Sequence, residues 1–160
     1  MITQHTRWMK LALREAQRAF DADEVPVGAI IVHEGEIIGR GSNQVEQLQD
    51  PTAHAEMIAL TAAANALQSR RLEHCIMYVT LEPCPMCAGA IMLARIPTLV
   101  FGSYDPKAGA CGTLYNIVED RRLNHQVHVV GGICDLESEA LLKDFFSLKR
   151  KVTRKKNPLR

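Results

Sequence analysis

Two short stretches of the chain, His54-Ala55-Glu56 and Pro83-Cys84-Pro85-Met86-Cys87, constrain its fold more than any other feature. Between them they hold one imidazole, two thiols three residues apart and one carboxylate. An imidazole and two thiols are ligands of the kind zinc takes, and three protein ligands leave a fourth position open for water. For these groups to act together, the fold must carry both stretches to one point and fold the intervening chain out of the way. Glu56, two residues from the histidine, is then the candidate to take a proton from that water.

The chain is long enough to enclose a core: 160 residues, 47% of them hydrophobic, are expected to form one domain. No apolar run approaches the roughly 20 residues that cross a bilayer. Arg7, Lys10, Glu15 and Arg18 break up the first apolar segment, and no small-residue cleavage site follows it, so no signal peptide is expected. A cytoplasmic protein is the plain expectation. Five cysteines at scattered spacing argue against a disulfide framework. Cys75, within Cys75-Ile76-Met77-Tyr78-Val79, is expected as a buried strand thiol, and Cys111 and Cys134 as inert.

The net charge of +1 conceals an asymmetry. Seven basic residues and no acid lie between Lys149 and Arg160, which leaves 12 basic against 18 acidic residues upstream, a net −6. A basic end on an acidic body is either a solvated helix terminus or a contact for a polyanion.

Periodicity divides the chain into alternating elements. Thr6 to about Phe20 carries Trp8, Leu11, Ala12, Ala16, Ala19 and Phe20 at helical spacing. Gly28–Val32 and Ile37–Gly39 flank a turn at His33–Glu36 and predict a hairpin, followed by a polar loop from Gln44 to Thr52. Asp50-Pro51-Thr52 announces a helix from His54 to about Leu67. Cys75–Thr80 reads as a strand, and Cys84-Pro85 opens a third helix, to about Arg95, because proline suits a first helical turn. Strands at Thr98–Gly102 and Val127–Val130 bracket a long glycine-bearing loop, and Leu136 to about Val152 forms the last helix. The pattern predicts an α/β fold of three layers, α/β/α, around a mixed five-stranded central sheet.

Both motif pieces therefore sit where a strand or loop feeds the start of a helix. Deep in a helix, residues two apart point about 200° away from each other, which would separate His54 from Glu56. In a first turn that objection weakens, because Cα–Cβ bonds tilt toward the N-terminus and converge beyond the helix end. Cys84 and Cys87 would occupy the cap and third positions of their helix, where free N–H groups and the positive helix end favour thiolate. Two thiolates neutralise the charge of Zn²⁺ and leave it a weaker acidifier of water than an all-histidine site, so a separate proton acceptor, Glu56, is useful.

A lone C-x-x-C also serves structural zinc knuckles and redox pairs. A redox pair, however, has no need of Pro83 or an upstream H-x-E, and a structural zinc takes four protein ligands. His5, His33, His74, His125 and His128 lack ligand spacing and are expected as surface or core residues. The complete signature, H-x-E … P-C-x-x-C, is that of zinc base deaminases as a class, tRNA adenosine deaminases among them, so the step from motif to reaction is inherited from that class.

Further segments are more particular. Val25-Pro26-Val27-Gly28-Ala29, Gly41-Ser42-Asn43, Asp50 to Glu56, Tyr78 to Ala90, Val100-Phe101-Gly102, Asp105 to Ala110, Asn124-His125 and Leu141 to Phe146 together resemble the bacterial tRNA-specific adenosine deaminases over nearly the whole chain. The resemblance implies a cytidine-deaminase-like fold, a single deaminase domain over residues 1–160, and a homodimer with one Zn²⁺ per subunit. The implied reaction is hydrolytic conversion of the wobble adenosine of a tRNA anticodon stem-loop to inosine. His54, Cys84 and Cys87 match the family's metal ligands and Glu56 its proton shuttle. Asn43 matches the position that hydrogen-bonds the base, Val27 the pocket wall, and the Asp105–Gly109 loop with Lys107 the path of the anticodon backbone. Phe146 and the basic end from about 149 to 160 match the region that helps hold the RNA.

Read without the resemblance, Asn43 is as well explained by satisfying its own turn, and Asp105 by capping its own loop. Phe145 and Phe146, adjacent on a helix, cannot face the same way; one is expected in the core and the other free to meet RNA. Tyr104 stands where the family often has a basic residue and Thr113 where it often has serine. Two other readings stay open: a deaminase of a small substrate (guanine, cytosine or a nucleotide), and a catalytically silent, zinc-stabilised RNA-binding module.

Overall fold

The computed structural model describes residues 3–157; the end of the basic tail at Pro158, Leu159 and Arg160 lies outside the described residues. Helix α1 (Gln4–Asp21) is capped by Thr3, whose hydroxyl accepts from Thr6 N at 3.1 Å, and buries Trp8, Met9, Ala12, Ala16 and Ala19 along one stripe. Strands β1 (Gly28–His33) and β2 (Glu36–Ser42) form the expected hairpin, with a register shift between Ile31 and Val32. A four-residue helix α2 (Val45–Leu48) precedes α3 (Ala55–Leu67), β3 (Cys75–Leu81), α4 (Pro85–Leu93), β4 (Thr98–Ser103), β5 (His128–Val130) and α5 (Asp135–Lys156).

The strands order as β2-β1-β3-β4-β5. β1 is antiparallel to both β2 and β3, whereas β3, β4 and β5 run parallel, so the sheet is mixed. Side chains alternate between its faces as the strand period demands. Ala29, Ile31, Cys75, Met77, Val79, Leu99 and Phe101 join the core under α3 and α4, while Ile30, Val32, Tyr78 and Val100 pack with Trp8, Met9 and Ala12 of α1. α5 lies beside α1 and against β4, which completes the third layer. The three-layer α/β/α reading of the sequence is the fold observed.

Three boundaries differ from the sequence reading. α2 lies inside what reads as a polar loop; Gln44 makes no side-chain cap, and the first turn is instead held by the distant carboxylate of Glu24. A hydrogen bond made across more than twenty residues leaves no local trace. The strand β2 continues to Ser42, which carries Asn43 to the end of the sheet. α5 runs to Lys156, past the expected end near Val152, because nothing in the last turn breaks it and Arg154, Lys155 and Lys156 complement the negative helix end.

Close approach of α3 to β2 depends on Gly41. A Cβ built there would sit inside the Ala55 carbonyl and 2.8 Å from Ala59 N, both backbone atoms that cannot swing aside. Gly41→Ala must therefore push away the start of α3, which carries His54 and Glu56. Overpacking of this kind costs about 1–3 kcal/mol. The expected result is a lower urea midpoint together with reduced metal uptake; a midpoint equal to that of the parent chain would show that α3 tolerates the displacement.

Candidate metal centre and active site

The site is assembled from two helix starts at the end of the sheet where β3 finishes. The turn into α3 is set by Asp50, whose Oδ1 accepts from Thr52 N at 2.8 Å and Thr52 Oγ1 at 2.7 Å. These bonds hold the Asp50 carboxyl below its ordinary value. His54 is the N-cap of α3, in extended conformation, and its side chain makes no capping bond, which leaves the imidazole free to point outward. β3 delivers Cys84 as the N-cap of α4, followed by Pro85 in the first turn; Cys87 is one turn further in and buried. The expected cap and third positions of the two thiols are those observed.

His54 Nδ1 lies 3.6 Å from Cys84 Sγ and 3.5 Å from Cys87 Sγ. A tetrahedral ion with a metal–nitrogen bond of about 2.05 Å and metal–sulfur bonds of about 2.3 Å requires N···S separations of about 3.6 Å. Both N···S separations match that requirement, and all three ligand atoms lie within 4.8 Å of one another. Among the described residues this is the one cluster of three potential ligand side chains, and it contains no fourth protein ligand.

The three side chains shift one another's titration. The hydrogen bond from the Cys87 thiol, with His54 alongside, draws Cys84 down to about 4. The same bond and burial push Cys87 well up, and the bond to Cys84 raises His54. The coupling thus leans Cys84 toward thiolate and Cys87 toward thiol. Glu56, in the first turn of α3, is 4% exposed, and burial raises its carboxyl above the ordinary value.

These groups form one wall of a cavity of about 880 Å³. His54, Glu56 and Cys84 lie in its lining, with Val27, Asn43, Asp105 and Phe146 of the residues marked in the sequence. Val27 is buried wall. Asn43 donates from Nδ2 to Val25 O at 3.3 Å and accepts at Oδ1 from Val45 N at 3.3 Å, so its amide also steadies its own turn. Asp105 caps its loop, accepting at Oδ1 from Lys107 N at 2.9 Å and Ala108 N at 3.2 Å. Lys107 is exposed on the outside of that loop and is not part of the lining. Phe145 is buried against Phe20, ring to ring at 5.9 Å and 70°, while Phe146 is 44% exposed at the rim.

Of the remaining histidines, His5 Nδ1 meets Tyr78 Oη at 3.0 Å and His125 Nε2 meets Ile96 O at 2.7 Å, away from the cluster. All five cysteines are free. Tyr104 is exposed, its ring edge-on to Phe101 at 5.0 Å. Thr113 supplies a hydroxyl to Glu82, which serine would also supply.

Sequence reasoning missed two buried acids in the cavity lining, Glu24 and Glu82. Glu24 accepts from Glu46 N at 3.2 Å and Gln47 N at 2.6 Å, and so fixes α2. Glu82 accepts from Asp105 N, Cys111 N and Thr113 N, each at 3.1 Å, and from the Thr113 hydroxyl. The one available signal was position: Glu82 is an acid placed between an apolar strand and Pro83-Cys84. Glu24 follows Asp21 and Asp23 and looks like surface charge.

Comparison with known proteins agrees with this geometry. A family model described as MafB19-like deaminase matches residues 3–150. The tRNA-specific adenosine deaminase of Bacillus subtilis (strain 168) is 46% identical over 159 residues, spanning 99% of this chain and 97% of the relative. That of Aquifex aeolicus (strain VF5) is 50% identical over 139 residues, spanning 87% and 91%. The chain belongs to the tRNA-specific adenosine deaminases. As such it is a hydrolase. A solved structure from work on A-to-I editing by tRNA:A34 deaminases superposes with a TM-score of 0.82 at 43% identity, covering 86% of this chain and 99% of that one. A guanine deaminase from Bacillus subtilis gives 0.62 at 38% identity, covering 69% and 71%. Among the described residues no helix is long and apolar enough to cross a membrane.

The ligand geometry has a direct test. The purified deaminase is expected to carry one metal equivalent, and Cys84→Ser and Cys87→Ser to fall far below it, by elemental analysis. Metal added to the stripped protein should release protons, because Cys87 must become a thiolate to bind. Full metal content in either serine variant would show that the cluster is not the binding site.

Proposed function

We propose that the chain converts the wobble adenosine of a tRNA anticodon to inosine, as a zinc enzyme acting with Glu56 as its proton carrier. The observation that carries this reading is a buried carboxylate beside three tetrahedrally spaced ligands in the lining of a cavity large enough for a nucleoside. Membership of the tRNA-specific adenosine deaminases supports the choice of substrate.

His54, Cys84 and Cys87 would hold the zinc, which when bound supplies a Lewis acid that makes water a nucleophile near neutral pH. Adenosine and water give inosine and ammonia, with a C–O bond formed and the C–N bond broken at C6 of the base. Glu56 removes a proton from the water, delivers it to the ring nitrogen N1, and carries a further proton to the departing amine. Its burial suits this role, since a carboxyl raised toward neutrality both accepts and returns a proton. Asn43 presents an amide donor and acceptor to the purine edge, and Val27 gives the flat base an apolar wall. An anticodon base is unpaired or easily unstacked, so turning it into the cavity costs only a few kcal/mol.

Outside the pocket, Phe146 at the rim, Lys107 on the Asp105 loop and the basic run of α5 provide a stacking surface and phosphate contacts. In this reading residues 1–160 act as one catalytic domain, and the chain pairs with a second copy as the sequence resemblance implies. The runner-up, deamination of a free base, draws support from the likeness to a guanine deaminase.

Incubation with anticodon stem-loops carrying a wobble adenosine, and separately with free adenosine, guanine and cytosine, separates these readings. Inosine from the RNA alone is expected; ammonia from a free base alone would replace this proposal with the runner-up. Glu56→Ala should lower turnover by about 10²–10⁴-fold while metal content stays at one equivalent. Loss of the metal in that variant would make Glu56 a ligand. Truncation after Leu148 should weaken stem-loop binding and flatten its dependence on salt, since a protein that neutralises fewer phosphates releases fewer counterions. An unchanged slope would make the basic end ordinary solvated surface.

A further inference from the structure

Glu82 is 2% exposed and ion-pairs with no residue among those described, yet it is an acid one residue from the Pro83-Cys84 corner. Burying a carboxylate without a counter-cation is costly unless hydrogen bonds replace the water. Here four donors do so, two on each oxygen. Oε1 accepts from Asp105 N and the Thr113 hydroxyl, and Oε2 from Cys111 N and Thr113 N. All four belong to the segment between Asp105 and Thr113.

That segment pairs with nothing in the sheet. Its remaining ties to the β3–α4 corner are Ala110 N to Pro83 O at 2.9 Å, a longer Cys111 Sγ to Pro83 O contact at 4.0 Å and, at its root, Glu82 N to Ser103 O at 2.9 Å. Gly109 turns tightly over the acid: a Cβ there would lie 2.5 Å from both Glu82 Cδ and Oε1. The same few atoms thus join the corner that presents Cys84 to the loop that presents Asp105 and Lys107.

We infer that Glu82 is a positioning residue for RNA recognition: its carboxylate holds the Asp105–Thr113 loop at a fixed distance from the metal corner, so that base and backbone are gripped in one register. This rests on the proposed reading of that loop as RNA-facing. A carboxylate is uniquely suited because it accepts at both oxygens. In Glu82→Gln the volume is kept, but one pair of donors must face an NH₂ group whichever way the amide turns.

The test uses the full chain, metal-loaded, as the parent and as Glu82→Gln, Thr113→Val and Thr113→Ser. A fluorescent anticodon stem-loop gives Kd by anisotropy without turnover; kcat and KM are measured per bound metal, and Tm and metal content are measured alongside. Thr113→Val removes one of the four bonds and Thr113→Ser keeps it. Expected are a rise in Kd and KM of about tenfold for Glu82→Gln and about fivefold for Thr113→Val, with one metal equivalent retained and Thr113→Ser like the parent. Should Glu82→Gln fail to fold, the valine and serine pair still decides.

A lower Tm or smaller active fraction with unchanged KM and Kd would overturn the inference and leave Glu82 a structural tie. Loss of metal would also overturn it, by assigning Glu82 to Cys84 rather than to the loop. A parent that binds the stem-loop without making inosine removes the proposed reaction but leaves the anisotropy comparison decisive. A parent that does not bind it removes both.

Discussion

Everything functional in this molecule depends on two helices beginning at the same place. A helix start offers unpaired N–H groups, a positive end and side chains that tilt forward beyond the axis. Setting the starts of α3 and α4 face to face brings His54 Nδ1 to 3.5 and 3.6 Å from the two sulfurs. Neither helix could do this alone, since the imidazole comes from one and both thiols from the other. Both helices lie on the same face of the sheet, with β3 running between them in sequence, and the Gly41 contact lets α3 come close enough.

Beside its apolar wall, the active cavity is held at two edges by buried acids. Glu24 accepts backbone N–H groups from the first turn of the short helix α2, and Glu82 from the irregular Asp105–Thr113 loop. Loops are difficult to bury because their backbone groups must find partners. A carboxylate satisfies several at once and leaves the loop defined without a strand to pair with. In both acids the charge serves shape.

The fifth helix joins this arrangement through aromatic contact more than through charge. Phe145 meets Phe20 edge to face, a contact worth about 0.5–1.5 kcal/mol beyond the area it buries. Lys149 pairs with Asp23 at 2.7 Å, but both side chains are substantially exposed, and such pairs contribute at most about 1 kcal/mol. Docking by Phe145 leaves Phe146 at the rim and the following cations in solvent, where a polyanion can reach them.

The local rules of the chain were enough for every element but α2 and for the candidate ligand cluster. Short apolar runs in β1, β3 and β4 announced strands buried on both faces, and proline after Cys84 announced a helix start. A histidine, two thiols and an acid at these spacings marked the candidate ligands, which the fold brings together, and a candidate proton carrier. Tertiary structure alone decided the N···S distances, the burial that raises Glu56, the outward placement of Lys107 and the division of labour between Phe145 and Phe146. It also decided that α2 exists and that Glu24 and Glu82 are anchors. The difference is physical: periodicity and capping act over a few residues and are written in order along the chain. A buried carboxylate, by contrast, takes its meaning from donors twenty or thirty positions away.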